Sequence, residues 1–542
     1  MPLRSFLSIC LACLTQFLNA QGVQPYVDHW DSLKTIKRSE GLYVNGLEWG
    51  EWKYWDPQGR LTEVAELKAG QRDGHVVQYY SSGKVQHDGW FKRGVQDSLT
   101  TSYHPNGQVM ERGQFARGVK QGRWEYFTTE GKPWLVEQWD KGIVLVLEAW
   151  DREGTHTLKN GEGLLLLYHA SGAVQERSQY AMGVKKGQSE TFWPAGNPRA
   201  RGSYGGGVMQ GEWTTWHSSG KVEKVTHYVN GKQHGAYTFH YPAGQVNVTG
   251  FHREGEKDSL WVWLTPSGTK DMEGSFRSGK RQGEWKFYFP NGKLSYHGSF
   301  ADDLEEGEWK WYYSNEQLWK HGSYVKGRKE GLWTTWYEDG TKLQEGPYVN
   351  GKEEGQWMSW WENGKQKDIG HFTAGRISGQ WRGWYPDGKQ EYEGWWKDDR
   401  KTGVWKLWYE NEQLKEQGSF VEGEKGGLWK MWNTRGLPIS EGQYRKGRPH
   451  GDWTYYDDAG VKMREQRLAD GDPDGPCTVY DQRGRVVQQM NYRKGKLHGT
   501  MTMYGTDGRV VKTIEYVDGE KAKPAPPGGA PPPSRATQPQ KR

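Results

Sequence analysis

A glycine followed two residues later by an aromatic returns every 24 residues over most of this chain: Gly283/Trp285, Gly307/Trp309, Gly331/Trp333, Gly355/Trp357, Gly379/Trp381, Gly403/Trp405, Gly427/Trp429 and Gly451/Trp453. The ruler extends back through Gly211, Gly187 and Gly163, with Ser259 in one glycine slot, and forward to Gly475 and Gly499. An earlier run, Gly50, Gly74, Ser98 and Gly122, keeps the same spacing, and a shortened repeat from Leu145 to Gly161 joins the two. Self-similarity at a fixed period is the mark of a stacked array, here of roughly twenty repeats.

Only 34% of the 542 residues are apolar, too little aliphatic mass for several ordinary globular cores. The buried area has to come from 32 tryptophans and 30 tyrosines, which cover much surface through few rotatable bonds. The chain therefore reads as a thin repeat structure. Its net charge of +6 sits at the ends, on Arg4 and on Lys521, Lys523, Arg535, Lys541 and Arg542, leaving residues 21–520 neutral. A neutral body is not built to neutralise phosphates, so nucleic acid is excluded as a partner.

Residues 1–20 read as a secretory signal peptide, with basic Arg4, an apolar stretch from Phe6 to Leu18 and a small residue, Ala20, before the expected cut. The sequences before Cys10 and Cys13 are poor acylation sites, so cleavage after Ala20 is expected. The mature chain then holds only Cys477 and no internal disulfide. Residues 21–33 form a lead-in and 34–520 the repeat array, irregular near 140–162. Residues 521–542, rich in proline and basic at the end, form a disordered spacer.

Counted from its first glycine, the repeat 283–306 holds two β-rich runs around Asn291-Gly292. Asn-Gly suits the two positive φ angles of a type I′ turn, so each repeat reads as a β-hairpin, with a second glycine near position 21 turning the chain into the next one. The fold class is all-β: an elongated solenoid of tandem antiparallel hairpins, on the order of 190 Å long if uncoiled at ~4.8 Å per strand. A two-residue loop at Asn-Gly sets Trp285 opposite Gly298 and Trp333 opposite Gly346, the missing side chain leaving room for the indole across the ladder. It places positions 3, 7, 12 and 18 on one packed face and position 6 on the other.

Position 6 is also aromatic in most repeats, and its neighbours at position 4 are mostly polar, as in Lys310, Thr334 and Lys406. The plain reading is that these rings stack on one another to hold the strands together. The functional one is a ligand-binding row, with Trp336, Trp360, Trp384, Trp408 and Trp432 as candidates because sugar faces pack on aromatic rings.

The string Tyr348-Val349-Asn350-Gly351-Lys352-Glu353-Glu354-Gly355-Gln356-Trp357, followed by Trp360-Trp361-Glu362-Asn363-Gly364-Lys365, resembles the MORN-repeat variant of bacterial proteins, some of which are labelled antitoxin components of toxin–antitoxin systems. The resemblance covers essentially 34–520. It implies a hairpin array for protein or lipid contact and scaffolding, with no activity of its own. Here the usual Gly-x-Gly of the repeat is replaced by Gly-x-Trp.

No nucleophile elbow, phosphate-binding loop, dinucleotide fingerprint or zinc-binding helix motif occurs, and no cofactor is expected. His234, His450 and His498 precede first glycines, and His297 and His321 precede position-16 glycines, so they read as parts of the repeat. Asp470, Asp472 and Asp474 have the spacing of a weak calcium-loop candidate, although Gly471 and Gly475 are ordinary turn glycines. The chain thus reads as an exported, non-enzymatic protein-interaction or scaffolding surface in the periplasm, in the envelope or outside the cell, most readily for a protein or peptide. The alternatives are binding of envelope polysaccharide or a lipid membrane surface through the aromatic row, and an antitoxin-like neutralising role. A catalytic cleft would have to lie at 123–162, where the period breaks.

Overall fold

The computed structural model describes residues 22–523, so the signal-peptide segment and nearly all of the proline-rich tail lie outside the described residues. Among these there are 45 strands and no helix. The fold is all-β, built of tandem antiparallel hairpins. The chain divides into two compact units, one running to Lys270 with Phe276–Lys280, the other comprising Asp271–Ser275 and the chain from Arg281 onward. Hairpins follow one another in chain order in both. The first strand, Val23–His29, falls in the lead-in and pairs with Lys37–Val44. In the second unit Val510–Val517 pairs with Gly499–Tyr504 and, at its end, with Glu520–Lys521.

The turn inside each hairpin differs from the type I′ expected at Asn291-Gly292. The Gly292 N–H donates to the Phe289 carbonyl at 2.8 Å and the Phe289 N–H to the Lys293 carbonyl at 2.8 Å. Gly292 has φ 82°, whereas Asn291 is not among the residues of positive φ. This is a type I turn with a left-handed glycine after it, the three-residue hairpin loop. Pro290 stands at the first central position, where its fixed φ fits a type I turn. The loop closes one residue early, and a bulge between Phe287 and Tyr288 takes up the difference, so Trp285 still faces Gly298 as expected. The same bulge alters the faces: Tyr288 pairs with Leu294, which moves position 12 to the face of position 6.

The type I′ turns lie between hairpins instead. Asn350 (φ 51°) and Gly351 (φ 81°) connect paired Val349 and Lys352. Asp302-Asp303 and Asp398-Asp399 make the same turn without glycine. Aspartate tolerates the left-handed region because its side chain bonds nearby backbone. Here the Asp303 carboxylate accepts the Arg281 N–H at 3.0 Å, and that of Asp399 accepts the Ile377 N–H at 2.8 Å.

Packing joins each hairpin to the one before it. Trp309 is 4% exposed and lies over Gly298, where an added Cβ would come within 2.1 Å of the ring. Its Nε1–H donates to the Ser299 carbonyl at 3.2 Å. The indole over a position-16 glycine therefore belongs to the following repeat, not to its own hairpin as the register alone suggested. Tryptophans 333, 405 and 429 repeat the arrangement over Gly322, Gly394 and Gly418. The position-18 aromatics stand edge-on between indoles, as Phe300 does to Trp309 (5.1 Å, 86°) and Tyr324 to Trp333 (5.1 Å, 88°). A lysine from position 23 covers many indoles, such as Lys425, with Nζ 3.8 Å from the Trp429 ring centre.

The shortened repeat in the first unit departs from this scheme. Its core is aliphatic, with Leu135, Val146, Ala149, Leu158 and Leu165 buried together. The hairpin Ile143–Trp150 and His156–Lys159 is too short to separate its neighbours fully. The Val146 N–H therefore reaches the Gly183 carbonyl at 2.9 Å.

Candidate functional site

Three of the histidines pair with carboxylates of neighbouring strands and turns, and the acidic doublets Asp302-Asp303 and Asp398-Asp399 form turns. His321 Nε2 lies 2.7 Å from Glu308, His297 Nδ1 3.2 Å from Glu284, and His498 Nδ1 3.3 Å from Asp518. The three candidate calcium ligands do not converge. Asp470 is in a type I′ turn and pairs with Arg445 at 3.1 Å, Asp472 pairs in the ladder with Ala469, and Asp474 accepts the Lys494 N–H at 3.1 Å. Among the described residues no three metal-ligating side chains come together.

Trp336, Trp360, Trp384, Trp408 and Trp432 lie half-buried on the face opposite the buried indoles. Among the described residues no ring contact joins one of these five to the next, so they do not stack on one another. Their backbone carbonyls accept the polar tips of position-7 aromatics one repeat earlier: Tyr313 to Trp336 at 2.8 Å, Tyr337 to Trp360 at 3.1 Å, Trp361 Nε1 to Trp384 at 2.9 Å, Tyr385 to Trp408 at 2.7 Å and Tyr409 to Trp432 at 3.0 Å. Position 7 therefore serves to tie successive turns along one edge of the sheet.

The opposite, ring-lined face of the second unit carries two hollows that share Trp381. Other position-3 tryptophans are buried, yet Trp381 is only half-buried. Position 5 in its repeat is Gly383, where other repeats have a side chain such as Phe287, Trp311 or Leu407. Tyr392 lies down over Gly383, at whose α-carbon an added Cβ would meet the ring at 2.1 Å, and its hydroxyl donates to Asp368 at 2.6 Å. Ile377 occupies position 23, which in many other repeats is a cation. The result is a hollow of about 290 Å³ walled by Ile377, Trp381, Tyr392, Trp396, Trp405 and Leu407, with Lys401 and Glu391 at its margin. Burial holds the Lys401 ammonium below its usual range, and its Nζ lies 4.1 Å from the Trp405 ring centre. The second hollow, also about 290 Å³, runs from Tyr348 and Trp357 to Trp381, beside Glu353 and Asp368. Sequence reasoning passed over this site. Its signals were Gly383 at an otherwise filled position and Ile377 in place of a lysine.

The family described as the MORN repeat variant matches residues 96–116, 209–230, 281–302, 305–326, 329–350 and 401–422, so these six segments are repeats of that kind. No curated protein matches the chain. Among solved structures, the TcdB2-TccC3 crystal structure aligns at 10% identity over 91% of this chain and 33% of that one, with a TM-score of 0.13. The Photorhabdus luminescens Tc holotoxin pore, in a TccC3 mutant form, aligns at 91% and 31% with a TM-score of 0.12. The chain thus spans about a third of those structures, and at such TM-scores the likeness says nothing of shape or role.

Proposed function

We propose that this array of MORN-variant repeats is an exported, non-enzymatic surface that binds or scaffolds a protein or peptide partner. The observation that carries the reading is the pair of aromatic-walled hollows around Trp381. A small apolar depression with a charged margin is the form of site that receives an anchoring side chain of a partner. The rings are already held by their neighbours, so little side-chain freedom is lost on binding.

The test is affinity capture from the envelope of the exporting cell with the wild-type protein and with Ile377→Lys. That variant installs a cation common at position 23 and closes the hollow without disturbing the strand. A partner retained by the wild type and lost from a variant of unchanged melting temperature supports the reading. Equal retention by both rules out the hollow as the binding site. Export itself predicts a mature N-terminus at Gln21, read by mass spectrometry; an intact Met1 in envelope fractions would contradict it.

A second reading, binding of envelope polysaccharide along Trp336, Trp360, Trp384, Trp408 and Trp432, is favoured by one observation. These rings occur once per repeat and do not stack on one another, which leaves a spaced row of half-exposed faces. Alanine replacement of all five would abolish glycan-array binding under this reading, and unchanged binding removes it.

A further inference from the structure

Where the period breaks in the first unit, the turn-side edge opens into a hollow of about 480 Å³, within the size range of small-ligand sites. Rings from separate strands and turns line it: Phe127, Trp134, Trp150 and Tyr168, joined by Leu166 and Leu167. Most regular repeats close this space. In them a long position-7 side chain bridges to the next hairpin, as His104 Nε2 does to the Phe127 carbonyl at 3.0 Å. At the next turn the bridging position holds Thr128, which is too short, and the hairpin that follows is the shortened one.

The polar groups at the hollow are unequally engaged. Asp151 caps its own turn, accepting the Thr155 N–H at 2.7 Å. His156, stacked on Trp150 at 4.4 Å, is held by Glu148 at 2.6 Å. Arg152 is exposed, pairs with no carboxylate among the described residues, and has its guanidinium 5.0 Å from the Tyr168 ring centre. Neither indole N–H, of Trp134 or of Trp150, has an acceptor among the described residues. The free capacity therefore includes donors, one of them a guanidinium, set among flat apolar rings, beside the Gln175 amide, unengaged among the described residues, and the second oxygen of Asp151, which can meet sugar hydroxyls. A ligand that answers this has a flat apolar ring face, several oxygen acceptors and one carboxylate, which the guanidinium fork can take bidentately.

We propose that this hollow binds the carboxylate-bearing pyranose of an acidic saccharide, the sugar face against the aromatic wall and the carboxylate on Arg152. The site is separate from the hollows at Trp381, and Ile377→Lys leaves it unchanged.

The experiment is calorimetric titration of the full chain with trigalacturonate, with maltotriose as a neutral counterpart and benzoate as an aromatic carboxylate. Trigalacturonate should bind at least about tenfold more tightly than either, and Arg152→Ala should weaken it by about tenfold or more, with Arg152→Lys intermediate. Arg199→Ala, which removes a guanidinium 4.9 Å from the Trp193 ring in the same unit, should change nothing. Absence of trigalacturonate binding at millimolar concentration, or binding equal to that of maltotriose or indifferent to Arg152→Ala, overturns the proposal. Benzoate binding as tightly as trigalacturonate overturns the saccharide assignment. Arg152→Ala is exposed and should melt with the wild type, so loss of binding cannot be mistaken for loss of fold.

Discussion

Tryptophan at position 3 and the glycine eleven residues before it behave as one unit. Wherever a repeat carries that tryptophan, position 16 of the repeat before it is glycine, from Gly41 and Trp52 to Gly442 and Trp453. Where the ring is absent, the glycine is nearly always absent too: Ala65 faces Val76, and Gln466 faces Cys477. Gly322→Ala should therefore destabilise by about 3 kcal/mol in urea melts, because its Cβ would stand 2.1 Å from the Trp333 ring. Adding Trp333→Val should cost less than the sum of the two single changes, since the pair then matches Ala65 and Val76. The two residue types were legible in the sequence, and so was their register. Which repeat supplies the ring was not, because Trp285 and Trp309 both flank Gly298 and only the lean of the side chain decides between them.

A second prediction at this scale concerns acid. Lys286 beside Glu284, Lys310 beside Glu308, Lys430 beside Glu441 and Lys462 beside Glu465 each hold the carboxyl below the ordinary glutamate value of 4.5. A carboxylate with a lowered folded pKa adds stability that is complete above the unfolded value and is lost as pH falls through the folded one. The urea midpoint should therefore change little between pH 7 and pH 5.5 on account of these groups and decline below about pH 4.5. Glu284→Gln with Glu308→Gln should lessen that decline; an unchanged acid limb would refute the assignment.

At the level of the hairpin, the two kinds of turn demand opposite chemistry. The inner turn is type I, and position 8 accordingly holds proline in several repeats, among them Pro57, Pro105, Pro242, Pro290 and Pro386. Glu338→Pro should then be neutral or stabilising by up to about 1 kcal/mol. Asn350→Pro, at φ 51°, should destabilise its hairpin by about 3 kcal/mol or more. Reversed effects in thermal melts would mean that the turn types are interchanged. The recurring prolines were the sequence signal for the inner turn, whereas the expectation of type I′ rested on the Asn-Gly pair alone. Hairpins and their spacing followed from glycine position alone. The bulge next to the turn did not, because a one-residue offset leaves no mark in composition.

Across the molecule, joins between neighbouring repeats are the main packing device, which makes the period itself a unit of stability. Removing residues 331–354 from the second unit should leave a folded chain, with Gly322 receiving Trp357 in place of Trp333. Removing half as many should collapse that region, because tryptophans would then meet strands without glycine. Far-UV circular dichroism and urea melts distinguish the two outcomes. The hollows around Trp381 and Trp150 arise where this regularity fails, at Gly383 and at the shortened repeat. The break at 123–162 was visible as a candidate cleft from spacing, whereas Gly383 was hidden among the many glycines of the array.

Each position-3 indole rests on the glycine of the repeat made before it and donates its N–H to that repeat's carbonyl, never to a repeat still to come. A nascent chain therefore meets a finished seat whenever a new hairpin emerges, whether from a ribosome or from a translocation channel. Growth of the array is in this sense vectorial. At Ile514, position 16 of the last described repeat, a side chain stands where most of the array keeps glycine.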